Sequence, residues 1–430
     1  MSRDAPITAI RCVRCGHTAA LEGFPYRCPV CGGILLIEND LSAWSGADPS
    51  VPGMERYREL LPVEAGSRLT SLGEGGTSLI RAEHLGQGLG DVEVLLKNET
   101  VNPTGSFKDR ALAVMTTRAR DEGYRRVISS SSGNAGVSSA AYAARAGIEA
   151  TVVAPENTRQ TKLAQLTVHG ARVVLVRGST SDTYKLAKAA AETGEWANVT
   201  TTFLSPLATA AFKTIGYELA DQLDGRAPDW VIAPVSAGPI LVAVASAFRE
   251  YHAAGRADGV PRMVCTQAAG CAPIVRAFEE GAQSVAPWLD PPDTIATAIA
   301  DPLLGYEDDG TLTLRVVRDT GGFALTVTDD SIREAIRRLA FLEGIFAEPA
   351  GAVPVAALRA LHARGIIGEG SRVVCLITGH GLKDPMAADQ YVEAPAIDPD
   401  VEQLFAALAG DARTRQEEKA WVDSPDATRS

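Results

Sequence analysis

From about Val94 onward, apolar runs without polar interruption alternate with helix-like segments, and this alternation limits what the chain can fold into. Arg126-Val127-Ile128-Ser129 reads as a short strand, Ser130 to Asn134 as a polar turn, and Val137 to Ala146 as an alanine-rich helix. Ala150 to Pro155 is strand-like, Thr161 to Val168 helical, and Ala171 to Val176 strand-like again. The pattern returns at Trp230–Val235, Ile240–Arg249, Met263–Thr266 and Val373–Thr378. These strands do not alternate apolar with polar residues, so both faces of each are covered, as in parallel sheets flanked by helices. Two such clusters, near 125–210 and 228–385, predict an α/β protein with two lobes and a cleft between them.

The first forty residues read differently. Cys12-Val13-Arg14-Cys15 and Cys28-Pro29-Val30-Cys31 are two knuckles with twelve residues between them, a spacing that closes a tetrahedron of thiolates around zinc. Cys12, Cys15, Cys28 and Cys31 fill every position, so the expected metal is structural and a zinc hydrolase is excluded. The other three of the seven cysteines are scattered, which fits a reducing compartment and a metal site better than a disulfide framework. The expected layout is a zinc ribbon over 1–45, a large α/β domain from 46–124 and 211–394, a small α/β domain over 125–210, and a polar, mobile tail over 395–430 in which Val401 to Leu408 can form one short helix. Residues 38–65 read as a polar connection with little periodicity.

Charge narrows the partners. Lys plus Arg is 41 and Asp plus Glu 53, giving −12, and an acidic surface opposes bulk binding to nucleic acid or anionic membranes. Trp230 to Phe248 carries no charge, but Pro234, Gly238 and Pro239 break it as a spanning helix. No apolar core follows Met1, so a cytoplasmic protein is expected.

Three loops carry chemistry. Asn102-Pro103-Thr104-Gly105-Ser106-Phe107-Lys108-Asp109-Arg110 delivers a lysine at the start of a helix expected near Arg110; Lys108 could anchor phosphate, form a Schiff base, or be a solvated surface lysine. Ser130 to Gly136 and Pro234-Val235-Ser236-Ala237-Gly238-Pro239 each join a strand to a helix, where they could cradle an anion or be tight packing turns. Together with the lysine they suit a phosphorylated carbonyl cofactor. Cys375 to Gly381 adds a strand ending in Thr378 and flanked by glycine, where a flat ring could approach.

From the cysteine ribbon to about Asp384, these segments resemble the threonine synthases, within the pyridoxal-phosphate enzymes folded like the tryptophan synthase β subunit. Leu72-Gly73-Glu74-Gly75-Gly76-Thr77, Gly270 to Ile274, Thr294 to Ala296, Glu348-Pro349-Ala350-Gly351 and Gly379 to Asp384 carry the resemblance alongside the lysine and Ser-Gly-Asn segments. It implies pyridoxal 5'-phosphate in the large domain, with Lys108 as the Schiff-base lysine and catalytic base. Phe107, Asn134, Ser236, Ala237, Gly238 and Thr378 would bind the cofactor, Asn134 at its phenolic oxygen, Ser236 to Gly238 at its phosphate and Thr378 at its pyridine nitrogen. Ser131, Ser132 and Ala135 would meet the substrate carboxylate, with Thr77, Thr104 and Lys213 also on the substrate side, and His380 more structural than basic. The implied reaction converts O-phospho-L-homoserine and water to L-threonine and phosphate in a homodimer.

Two departures from the family stand out. The phosphate loop is Ser-Ala-Gly-Pro, where Pro239 lacks an N–H but suits the first turn of a helix. The stretch Asn198 to Thr214 keeps hydroxyls and Lys213, but no arginine for the substrate phosphate. The alternative is therefore a relative performing β- or γ-replacement on another activated amino acid, as a cysteate synthase does. A catalytically silent protein whose ribbon binds a partner is opposed by Lys108, Asn134 and Thr378.

Overall fold

The computed structural model describes residues 7–158, 160–178, 180–385 and 395–408. Strands β1 (Ile7–Cys12), β2 (Thr18–Ala19) and β3 (Leu35–Asn39) form an antiparallel sheet in the order β2-β1-β3, with the cysteine knuckles at its turns. Next come β4 (Leu79–Arg81), β5 (Glu93–Asn98) and helix α1 (Lys108–Asp121). The chain then alternates: β6 (Arg126–Ser130), α2 (Asn134–Ala146), β7 (Glu149–Pro155), α3 (Gln160–Val168), β8 (Arg172–Val176), α4 (Thr180–Glu192) and β9 (Ala197–Asn198). After α5 (Pro206–Gln222) it continues through β10 (Trp230–Pro234), α6 (Pro239–Ala253), β11 (Arg262–Ala268), α7 (Pro273–Glu279), α8 (Glu307–Asp319), β12 (Phe323–Val327), α9 (Asp329–Glu343), α10 (Pro349–Ala363) and β13 (Arg372–Ile377).

The protein is thus α/β, as the alternation predicts. A four-stranded sheet, β8-β7-β6-β9, is parallel throughout. A six-stranded sheet, β12-β11-β10-β13-β5-β4, is parallel except where β4 runs antiparallel to β5 at the edge. β10 is buried along its whole length, and the uncharged run that follows it becomes a turn and then α6. Among the described residues, no helix is long and apolar enough to cross a membrane. Local signals set the helix ends: the Ser205 hydroxyl accepts from Leu207 N at 3.3 Å and Pro206 opens α5.

The connection over 38–65 corrects the sequence reading. It contains a 3-10 run, Gly53–Leu60, whose Met54, Tyr57 and Leu60 are buried, alongside Leu41 and Trp44. Every third residue faces inward, a period that a search for 3.6 or 2 passes over. In the expected tail, 401–408 is helical with Val401, Leu404, Phe405 and Leu408 exposed, and 409–430 lies outside the described residues.

Candidate active site

The loops that follow β6, β10 and β13 all leave the carboxyl ends of parallel strands and line one cleft, the usual ligand position in such sheets. Phe107, Lys108, Ser131, Ser132, Asn134, Ala135, Ser236, Ala237, Gly238 and Thr378 all line it. The lysine segment is stitched onto the end of β13: Phe107 N donates to Thr378 O at 3.1 Å, and His380 N to Gly105 O at 2.8 Å. Backbone bonds therefore fix Lys108 and Thr378 relative to each other.

Lys108 is itself the first residue of α1, two positions ahead of the expected helix start. Its Nζ lies 4.6 Å from the Phe107 ring centroid and 5.4 Å from that of Phe212, and it has no hydrogen bond or ion pair among the described residues. Loss of water around the ammonium lowers its pKa to about 8, against the weaker pull of Asp301 and Glu348. The positive end of α1 also disfavours a cation there. Lys108 thus reaches the neutral amine form at a far lower pH than an ordinary lysine, with its midpoint near pH 8.

The phosphate-loop candidate is built for close approach. Gly238 has φ 102°, and a Cβ there would lie 2.2 Å from Thr313 Oγ1, so the turn admits only glycine. Thr313 Oγ1 donates to Ala237 O at 2.6 Å and holds that turn from α8. At the opposite wall, a Cβ on Gly136 would fall 2.1 Å from Ser131 O, so the Ser-Gly-Asn loop folds tightly over the start of α2.

Sequence reasoning missed several lining groups. Glu348, in a quoted motif but given no role, accepts from Asn134 Nδ2 at 2.6 Å. Burial pushes its carboxyl up, while Lys383 and Asn134 pull it down. Asp301 accepts from Tyr306 Oη at 2.7 Å and Leu303 N at 3.0 Å, and burial likewise pushes it up. Tyr184 of α4 stacks on Tyr306 at 4.9 Å, and both rings line the cleft. Lys162 and the hydroxyls of Thr200, Thr201 and Thr202 also line it. For Asp301, Tyr184 and Tyr306 no local pattern existed, because only the fold brings them together.

Three expected substrate residues are elsewhere. Lys213, on α5, donates to Ile37 O and Glu250 Oε1, each at 2.5 Å, and ties β3 to α5 and α6. The sequence placed it in the right segment, but the helical turn aims it away from the cleft. Thr77 is buried against Glu99 (2.6 Å) and Arg110 (3.2 Å). The Thr104 hydroxyl is engaged by Asp109 at 2.5 Å and lies 2.9 Å from that of Ser138. His380 Nδ1 accepts from Leu382 N at 3.0 Å and its ring packs edge-on against Phe346, so it caps a turn.

The Cys12, Cys15, Cys28 and Cys31 sulfurs form a second cluster, all within 4.8 Å of one another. The Cys12–Cys31 and Cys15–Cys28 sulfurs lie 3.5 and 3.8 Å apart. A zinc tetrahedron with Zn–S near 2.3 Å needs sulfurs roughly 3.8 Å apart, so the four thiols fit that ion. The cysteine-bearing segment also contacts α8: Arg27 donates to Asp309 Oδ1 at 2.5 Å.

Residues 70–379 match the family described as pyridoxal-phosphate dependent enzyme. The threonine synthase of Methanocaldococcus jannaschii is 40% identical over 392 residues, 90% of this chain and 95% of that protein. That of Methanosarcina acetivorans is 36% identical over 410 residues, 94% of this chain and 99% of the other. Among solved structures, maize serine racemase superposes with a TM-score of 0.61 at 21% identity, covering 79% of this chain and 93% of its own. Threonine deaminase isoform 2 from Solanum lycopersicum gives 0.60 at 23% identity, covering 73% and 87%. At those identities the two structures speak for the fold.

Proposed function

This chain belongs to the pyridoxal-phosphate dependent enzymes, and from that membership we propose that it is a lyase acting as a threonine synthase, converting O-phospho-L-homoserine and water to L-threonine and phosphate. The observation that carries the reading is Lys108, an amine without a polar partner among the described residues, lowered to about 8 and surrounded by the turns of three strand ends. The cleft fits the cofactor by its donor chemistry. Lys108 offers an amine to an aldehyde. Ser236, Ala237 and Gly238 offer a glycine-shaped turn at the start of α6 for a phosphate. Asn134 has a second amide N–H beyond the one given to Glu348, and Thr378 brings a hydroxyl rather than a carboxylate to the ring nitrogen.

When bound there, pyridoxal 5'-phosphate supplies a conjugated ring that takes up the electron pair left as the substrate's Cα–H bond breaks. Lys108 Nζ, neutral above about pH 8, accepts that α-proton and can return it. Ser131, Ser132 and Ala135, at the start of α2, hold the α-carboxylate against backbone N–H groups. The Tyr184–Tyr306 stack forms part of the cleft wall.

The reading also includes a structural zinc on Cys12, Cys15, Cys28 and Cys31, in a homodimer in the cytoplasm. Chelation should release close to one zinc per chain and lower the melting temperature, and Cys12→Ser should lower zinc content. The deciding experiment incubates holoenzyme with O-phospho-L-homoserine and measures threonine and phosphate. Absence of both products would replace the proposal with β- or γ-replacement on another activated amino acid.

A further inference from the structure

We infer that Lys162, on the small lobe, is the cation that receives the phosphate end of the substrate, together with the Thr297 hydroxyl across the cleft. This rests on the substrate reading above. The stretch 198–214 has no arginine, and Lys213 is held by Ile37 and Glu250. Other nearby cations are also committed: Arg27 to Asp309 at 2.5 Å, Lys383 to Thr104 O at 2.7 Å, and Arg110 to Glu99 and Glu218. Among the described residues lining the cleft, the basic side chains are Lys108 and Lys162. Lys108 has its own task.

Lys162 is half-buried near the start of α3, and its Nζ donates to Thr297 Oγ1 at 3.1 Å. Thr297 belongs to the 297–301 segment that forms the opposite rim. An ammonium has three N–H groups, and this bond uses one. A hydroxyl that accepts from a cation keeps its own proton to donate. The pair therefore offers an anion a charged N–H and an O–H from opposite sides of the cleft. Among the described residues no carboxylate forms an ion pair with Lys162, and Glu348, whose carboxyl feels its charge, is hydrogen-bonded by Asn134. A phosphate ester there would bring the lobes together, while the carboxylate end stays at the start of α2.

The test compares Lys162→Met and Lys162→Arg holoenzymes with the unmodified enzyme. KM is measured for O-phospho-L-homoserine, and Kd for L-homoserine, the same amino acid without phosphate, is read from cofactor absorbance. Lys162→Met should raise KM about 10- to 100-fold, the range expected for a charge-assisted hydrogen bond. L-homoserine binding should move less than about twofold, and Lys162→Arg should recover most of the loss by restoring the same charge. Equal weakening of both ligands would make Lys162 a simple latch between lobes and overturn the inference, as would an unchanged KM. Failure of the unmodified enzyme to release phosphate rejects the substrate reading, whereas full turnover with unchanged KM in Lys162→Met rejects Lys162 alone.

Discussion

Lys97 and Lys108 stand on either side of one turn, and the surroundings of the two lysines show how this fold separates structure from chemistry. Lys97, at the end of β5, is fully buried and donates to Glu218 (2.7 Å), Thr77 O (2.8 Å) and Gln222 (3.0 Å). Arg110 lies in the same cluster, with Glu99 and Glu218 both at hydrogen-bond distance. Two cations face two carboxylates, and the donors are matched. Burial acts to raise Glu218, but Arg110 and then Lys97 outweigh it and hold the carboxylate well below its usual range. Lys108 opens into the cleft beside aromatic faces, with the nearby acids engaged by Tyr306 and Asn134. A satisfied lysine fixes geometry; an unsatisfied one is available to react.

The sharpest way to break this contrast is to remove Lys108. Lys108→Ala should lower kcat by at least about 10³-fold, since it removes both the cofactor's attachment and the proton acceptor. The melting temperature should change little, because no polar contact of Lys108 is lost. Near-normal turnover would leave the cleft without a mechanism. The same contrast has a pH form: in cofactor-free protein, labelling of Lys108 by an amine reagent should rise through a midpoint near pH 8, as the ammonium gives way to the amine. Lys97 should stay unlabelled until the protein unfolds. Equal labelling of both would erase the distinction.

Glu218→Gln attacks the other side. It leaves Lys97 and Arg110 buried with Glu99 as their one remaining carboxylate, and breaking a buried pair costs on the order of 3–5 kcal/mol. Urea unfolding should show that loss. The sign of the pH dependence follows from the lowered Glu218 carboxyl: its contribution is in place above the ordinary glutamate range and is lost only as pH falls well below it. The unmodified protein should therefore lose nothing from this group between about pH 7 and 5.

The cleft was more legible in sequence than the cluster, for a physical reason. Asn134, Ser236 to Gly238 and Thr378 follow closely on strand ends and Lys108 opens α1, and a local pattern of small residues and hydroxyls marks each of these segments. The strands were legible because buried parallel strands are continuous apolar runs, as at Trp230–Pro234. Lys97 on β5, Glu99 just after it and Glu218 on α5 carry no local pattern that marks them, and their pairing exists only after folding. The same holds for Asp301 against Tyr306, and for Lys162 against Thr297. The 3-10 run at Gly53–Leu60 escaped because its inward period is three.

Thr77 joins the two regions and gives the smallest effect. The family resemblance assigns it to substrate, yet its hydroxyl donates to Glu99 at 2.6 Å and accepts from Arg110 at 3.2 Å, and it does not line the cleft. Thr77→Val keeps the shape and removes those bonds, so stability should fall by about 1–3 kcal/mol, as for a hydrogen bond to a charged group. KM for O-phospho-L-homoserine should stay within about twofold, because a neutral side chain that lies behind the cleft wall has no polar contact with the ligand to lose. A clear rise in KM with unchanged unfolding would move Thr77 to the substrate and dissolve the boundary between cluster and cleft. A loss of stability with KM held would draw that boundary through a single hydroxyl.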